Sequence, residues 1–381
     1  EISCSLVGSE MCIRDSHKTH GMNQPLFSMR TLYVSRTPAD SSVYPTISAA
    51  LDAIPMDLNE PACIYLAPGI YHEKITINKP YLTILGTGKS NKDVVLTYDD
   101  YALAPMADIG KLGTFRSYSV FIDTHDVTLQ NLTIENASGD SLTHGQAIAL
   151  YADGDRLVIN SCRLIGHQDT LFTGPLPPKE IEPDGFIGPK QSAPRINGRQ
   201  YYKNCYICGD IDFIFGSATA YFESCVIESL CRTTNVNDIQ GYITAASTPE
   251  GQEYGYVFSN CKLISKDCPP NSVYLGRPWR NYAKTVFLEC SLGNHIHECG
   301  FHDWKKEDAR NTVLYAEYRN YPASSADTTS NNRSLNDDIH CIDGRCIPYP
   351  HRAEYVCELD AVQAEHFSKE NVLSGADHWN P

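Results

Sequence analysis

Gln130-Asn131-Leu132-Thr133-Ile134 returns in altered form as Asn160-Ser161-Cys162-Arg163-Leu164. Four more copies follow: Lys203-Asn204-Cys205-Tyr206-Ile207, Glu223-Ser224-Cys225-Val226-Ile227, Ser259-Asn260-Cys261-Lys262-Leu263 and Leu288-Glu289-Cys290-Ser291-Leu292. From the second copy on, a polar residue precedes a Cys, and an Ile or Leu follows two positions later. That spacing puts both apolar side chains on one face of a strand and turns the residue between them outward. The middle position holds Thr, Arg, Tyr, Val, Lys and Ser in turn, the tolerance expected of a solvent-facing site. Copies begin 30, 43, 20, 36 and 29 residues apart. Such uneven spacing suits coils of a solenoid that carry loops of different length and bury one continuous core. The fold expected is all-β: a single-stranded, right-handed parallel β-helix with short terminal helices.

Working outward, Ala62 to Leu66, Lys74 to Ile77 and Tyr81 to Leu85 read as short strands punctuated by Gly69, Gly86 and Gly88. Before them Ile47, Ala50, Leu51 and Ile54 fall at helical spacing and end at Pro55, which predicts a capping helix. Ala361 to Phe367 shows a second helical pattern, expected to pack back along the solenoid. The polar stretch Ser324 to Asp338 reads as a loop. Ser5 to Ser16 looks like translated adapter sequence, so residues 1–21 are set apart as a non-native tail and 22–381 as a single domain, with Met22 or Met29 as natural start.

At 381 residues and 42% hydrophobic, the chain can bury a large core, and no run reaches the roughly 20 apolar residues of a membrane span. Lys and Arg number 31 against 46 Asp and Glu, a net charge of −15, which argues against nucleic acid or an anionic membrane as partner. A polyanionic ligand would need a locally favourable groove. Of the 15 cysteines, five stack inside the coils on this reading, and no pair of CxxC motifs with zinc-like spacing appears. Most are read as free thiols, and with no secretory leader in view the expected location is cytoplasmic; a lost signal peptide would make the protein secreted.

Four motifs carry the chemistry: GQAIALY (145–151), HQDTLF (167–172), GDIDFIFGSA (209–218) and YLGRPWRNYAKTV (274–286). Asp169 and Asp212 each stand in an apolar run, and a carboxylate buried without a partner costs several kcal/mol, so each needs a reason to be there. Together with Gly113-Thr114 and AEYRNY (316–321), the motifs closely resemble the pectinesterase family over roughly Tyr44 to Tyr318. The resemblance implies hydrolysis of the C6 methyl esters of homogalacturonan, or of oligogalacturonides, without a cofactor or metal and by a monomer.

It also implies roles. Asp212 would be the nucleophile, Arg277 would hold it ionised and oriented, and Asp169 would protonate the leaving methanol and then deprotonate water. Burial and a neighbouring carboxylate would keep Asp169 protonated. Gln168 and Gln146 would donate to the oxyanion, and Thr114, Phe172, Phe215 and Trp279 would line the groove. Tyr201, Tyr202 and Tyr282 are weaker candidates. His167 is not needed as a proton carrier, and the 13 histidines include no HExxH.

Two departures from the family stand out. Asp169 and Asp212 lie 43 residues apart, where the family places them about one coil apart, and the surplus is a Pro- and Gly-rich insertion, 174–197. It would narrow the groove, form a lid or decorate the surface. The glycine-rich continuation after AEYRNY is replaced by Pro322-Ala323-Ser324. The alternatives are a β-helical lyase or polygalacturonase-like enzyme that cuts the sugar backbone, a noncatalytic β-helix that binds carbohydrate, and an esterase for another ester.

Overall fold

The polar residue ahead of each Cys turns a corner. Asn131, Ser161, Asn204, Ser224, Asn260 and Glu289 all adopt left-handed backbone, with φ between 53° and 54° except for Asn204 at 52°. Asn tolerates this region better than most residues, which explains its frequency there. The chain then enters the next strand with its Cys pointing inward. A computed structural model describes residues 29–56, 60–107, 110–323 and 351–381. The adapter-like segment, Met22 and the whole polar stretch Ser324 to Asp338 lie outside the described residues.

Among the described residues, the coils stack into three parallel sheets of twelve, seven and nine strands, with one two-residue antiparallel pair beside them. This is the parallel β-helix that the repeat predicts. The seven-stranded sheet carries the site, and its strands are β1 (Ile75–Ile77), β2 (Val120–Ile122), β3 (Leu150–Ala152), β4 (Leu171–Thr173), β5 (Ile211–Gly216), β6 (Gly241–Ala246) and β7 (Val273–Gly276). They pair in that order, with Ile75, Val120, Leu150, Leu171, Ile214 and Thr244 in register.

Inside, Cys162, Cys205, Cys225, Cys261 and Cys290 are buried free thiols. Each donates to a carbonyl of the preceding coil: Leu129, Ile159, Tyr202, Phe222 and Phe258, at 3.2–3.5 Å. Beside them Tyr202, Phe222, Phe258 and Phe287 stack face to face at 4.4–4.6 Å. That distance is close to the spacing between neighbouring strands, so parallel register itself stacks the rings.

Short helices cover one end and one flank. The Ile47–Asp52 helix buries Ile47, Ala50 and Leu51, and its Thr46 cap accepts from Ala49 N–H at 3.1 Å. On the outer face of the twelve-stranded sheet, Ala361–Glu365 and Lys369–Leu373 fold as short helices that bury Phe367, Val372 and Leu373 against Tyr201, Tyr221 and Val257. Arg199 ties this tail down: it bonds Asp155 on the solenoid and the Ser374 carbonyl at 2.9 Å.

Candidate active site

Asp212 owes its aim to a bulge. Between Ile211 and Ile214 the register of β5 against β6 slips, so three steps on β5 match two on β6. Such a bulge redirects a side chain out of the alternation of its strand. Asp212 takes φ +51° within it, with Phe213 and Ile214 fully buried behind. Asp169, in the turn before β4, also takes positive φ, +68°, and its N–H donates to the Ile211 carbonyl at 3.1 Å. That bond joins the coil of one aspartate to the coil of the other. Each aspartate is only 7% exposed.

Arg277 meets Asp212 with its fork: Nε donates to Oδ1 at 2.8 Å and Nη2 to Oδ2 at 2.6 Å. The guanidinium lies between two rings, 3.9 Å from the centroid of Tyr242 and 3.7 Å from that of Trp304. Such contacts fix its plane and with it the orientation of the carboxylate. The backbone needs Gly276 to deliver Arg277, because a Cβ there would lie 2.0 Å from Thr244 Oγ1.

Gln146 precedes β3 and Gln168 precedes Asp169, and both are half-buried. The Gln168 carbonyl accepts from Ala147 N–H at 3.0 Å, which places the two glutamines on adjoining coils. Neither carboxamide bonds another described residue, so their N–H groups are available to a ligand.

The comparisons with known proteins bear on this constellation. The family model described as Pectinesterase matches residues 34–175 and 194–336. Pectinesterase 31 of Arabidopsis thaliana is 31% identical over 81% of this chain and 90% of its own. Probable pectinesterase A of Neosartorya fischeri is 35% identical over 77% and 80%. This chain belongs to the pectinesterase family. Among solved structures, the pectin methylesterase PemA from Erwinia chrysanthemi superposes with a TM-score of 0.69 at 26% identity, covering 93% of this chain and 99% of that one. A pectin methylesterase in complex with a hexasaccharide gives the same TM-score and identity.

Within this pectinesterase the electrostatics separate the two carboxyls. Burial pushes Asp169 well above the ordinary carboxylate range, and the Asp212 charge pushes it further. Burial also raises Asp212, and Arg277 pulls it back through charge and hydrogen bonds without fully offsetting burial. The sequence reading weighted Arg277 alone; the desolvation of a nearly closed site outweighs it. The dyad therefore titrates as a coupled pair whose upper step belongs mainly to Asp169.

The aromatic candidates fall into two groups. Trp279 is half-buried beside Arg277, and the Arg280 guanidinium lies 4.9 Å from its ring. Phe172, with no exposed surface, and Phe215, at 4%, pack 4.9 Å apart beneath it. They support the floor of the groove instead of forming its surface, because they sit on strands β4 and β5 under Phe115. Thr114 opens a 3₁₀ turn, Thr114–Arg116, at the rim. Tyr201 and Tyr202 belong to the twelve-stranded sheet, away from the site, with Tyr202 fully buried.

Sequence reasoning missed Tyr242, Trp304 and Lys306. Lys306 Nζ donates to the Pro278 carbonyl at 2.7 Å and the Trp279 carbonyl at 3.1 Å, which clamps the GRPW turn. Burial and two neighbouring guanidiniums push it down to about 8. No short motif contains these residues, and only coil stacking brings them to Arg277. His167 has its own partner, with Nδ1 3.4 Å from the buried Asp210 carboxylate, whose other bonds come from Ser141 Oγ at 2.7 Å and Ile211 N–H at 2.6 Å.

Proposed function

We propose that this chain hydrolyses the C6 methyl esters of homogalacturonan, releasing methanol and leaving a free galacturonate carboxylate. The observation that carries the reading is the fork of Arg277 on Asp212 next to a second, more strongly proton-holding carboxyl. Relatives named pectinesterase and a pectin methylesterase complexed with a hexasaccharide support the substrate class.

In the first half-reaction an Asp212 carboxylate oxygen attacks the ester carbon while Arg277 keeps the carboxylate in line. The carbonyl oxygen becomes negative and accepts from the Gln146 and Gln168 carboxamides. As the C–O bond to the methoxy group breaks, Asp169 gives that oxygen its proton and methanol departs, leaving an anhydride between Asp212 and the sugar. Water then attacks the sugar acyl carbon and passes a proton to Asp169. The Asp212 carboxylate leaves and both groups return to their starting states. A Gln168→Glu exchange replaces a donor with an acceptor, and loss of one oxyanion donor is worth about 3 kcal/mol of barrier.

Methanol release from methylated pectin tests the reading: wild type should turn over, and Asp169→Asn and Asp212→Asn should not. Appearance of unsaturated products or new reducing ends without methanol would instead assign a backbone-cleaving enzyme. Binding of pectin with no methanol release would assign a noncatalytic module.

The free thiols favour a reducing compartment, and the proposal extends to a cytoplasmic monomer that acts on short methylated oligogalacturonides. It predicts a higher kcat/KM on short oligomers than on polymeric pectin, and the reverse ranking would remove this extension. The net charge of −15 supports a role without nucleic acid or membrane partners.

A further inference from the structure

The insertion that the family model skips, residues 176–193, is not a loose decoration. Phe186 is buried, 5.7 Å from Phe115 and 6.2 Å from Trp279, each nearly perpendicular. Arg195 holds the loop closed by donating to the carbonyls of Pro177, Lys190, Ala193 and Gln191. Lys190 fastens it to the solenoid through Asp123 at 2.6 Å. Gly188 lies so close to Phe115 that a Cβ would meet its carbonyl oxygen at 2.8 Å.

Docked in this way, the insertion becomes one wall of a cavity of about 580 Å³. Ile187, Pro189 and Gln191 face Lys74, Arg116 and Tyr118 across it. Lys74 is already matched, bonded to Asp100 and to the Arg116 carbonyl. Arg116 is not: its Nε and Nη2 donate only to the Leu112 and Lys111 carbonyls, it has no carboxylate partner among the described residues, and its Nη1 makes no bond there. An unmatched guanidinium in a chain of net charge −15 is a local exception to the surrounding field. Tyr118, with the Lys74 ammonium 4.7 Å from its ring centroid, adds an aromatic ring, and Gln191 adds an exposed carboxamide. Cation, ring and amide together suit a sugar ring that bears a carboxylate.

Lys74 immediately precedes β1, and Asp169 lies in the turn ahead of β4 in the same sheet, three strand spacings or roughly 14 Å away. The cavity therefore receives a different sugar unit from the one whose ester is cleaved. Resting on the esterase reading above, we propose that the insertion and the Lys74–Arg116 corner form an accessory subsite for an already de-esterified galacturonate unit of the same chain. The subsite favours substrates that are partly demethylated.

The test titrates two hexamers of galacturonate, one fully methylated and one fully de-esterified, into the protein in an Asp212→Asn background. Arg116→Gln should weaken the de-esterified hexamer by about tenfold and the methylated one by less than about twofold. Ile187→Asp, a half-exposed change that sets an anion in the wall, should do the same without touching the packing of Arg116. Equal losses for both hexamers, or no loss in either variant, would overturn the subsite. Methanol release by the unsubstituted protein is measured separately. If that assay fails while the charge-selective loss persists, the subsite stands and the esterase reading falls.

Discussion

Asp169 and Asp212 both sit at positive φ, a region that costs a non-glycine residue on the order of 1 kcal/mol, and both are nearly sealed from water. Activity needs Asp212 ionised and Asp169 protonated. It should therefore rise with pH through the Asp212 step and fall through the Asp169 step. Burial raises both, so the bell should lie above the range of free carboxylates. Arg277→Lys removes the planar fork that lowers Asp212. We expect the rising limb to move to higher pH and kcat to drop by about 100-fold, read from kcat/KM profiles.

Trp304→Leu should lower kcat more than it raises KM, since the ring braces Arg277 and is not proposed to touch the sugar. A stability effect belongs to Asp153, buried and pushed up to about 6. Its folded value exceeds the unfolded one, so its contribution is fully present below about 4 and is lost as pH rises through about 6. Asp153→Asn should raise Tm above pH 6 and leave it unchanged near pH 4, a difference that calorimetry across that window reads directly. At this scale the two aspartates, both glutamines and Arg277 were legible because each lies in a short motif. Tyr242 and Trp304 were not, because a cation–π sandwich assembled from separate coils has no local signature.

Elements were legible where they repeat. The Cys-x-Ile/Leu alternation gave the coils, and both terminal helices formed where the periodicity put them. One coil escaped notice. In Tyr318 to Pro322 the corner is Arg319, at φ +47°, and Asn320 stands where the five preceding copies have Cys. Its Oδ1 accepts from Cys290 N–H at 2.8 Å, so a hydrogen bond replaces the thiol and erases the pattern. The same comparison exposes a misfit at Glu289, an exposed corner held at φ +53° by a residue that disfavours it. Glu289→Asn should raise stability by about 0.5–1 kcal/mol, measured by chemical denaturation. The insertion was visible as surplus length. Its docking was not, because Phe186 finds its partners only once Phe115 and Trp279 have come together.

For the whole molecule, the tail acts as a strap across the twelve-stranded sheet. Removing residues 361–381 should uncover Tyr201, Tyr221 and Val257, lower Tm by several degrees and promote self-association, visible by light scattering. The charge distribution also makes sense only at this scale. In an acidic protein, Arg277, Arg280, Lys306 and Arg116 gather around the GRPW turn and the docked insertion, a local cationic patch suited to an acidic polymer. Finally, the ladder of thiols from Cys162 to Cys290 spaces one alkylatable sulfur per coil along the axis, while Cys231 and Cys357 lie open at the surface. Brief pulses of iodoacetamide, decoded by mass spectrometry, would make the two open sulfurs the time zero and the five sealed ones a row of clocks. Their firing order would reveal the end from which the stack unwinds.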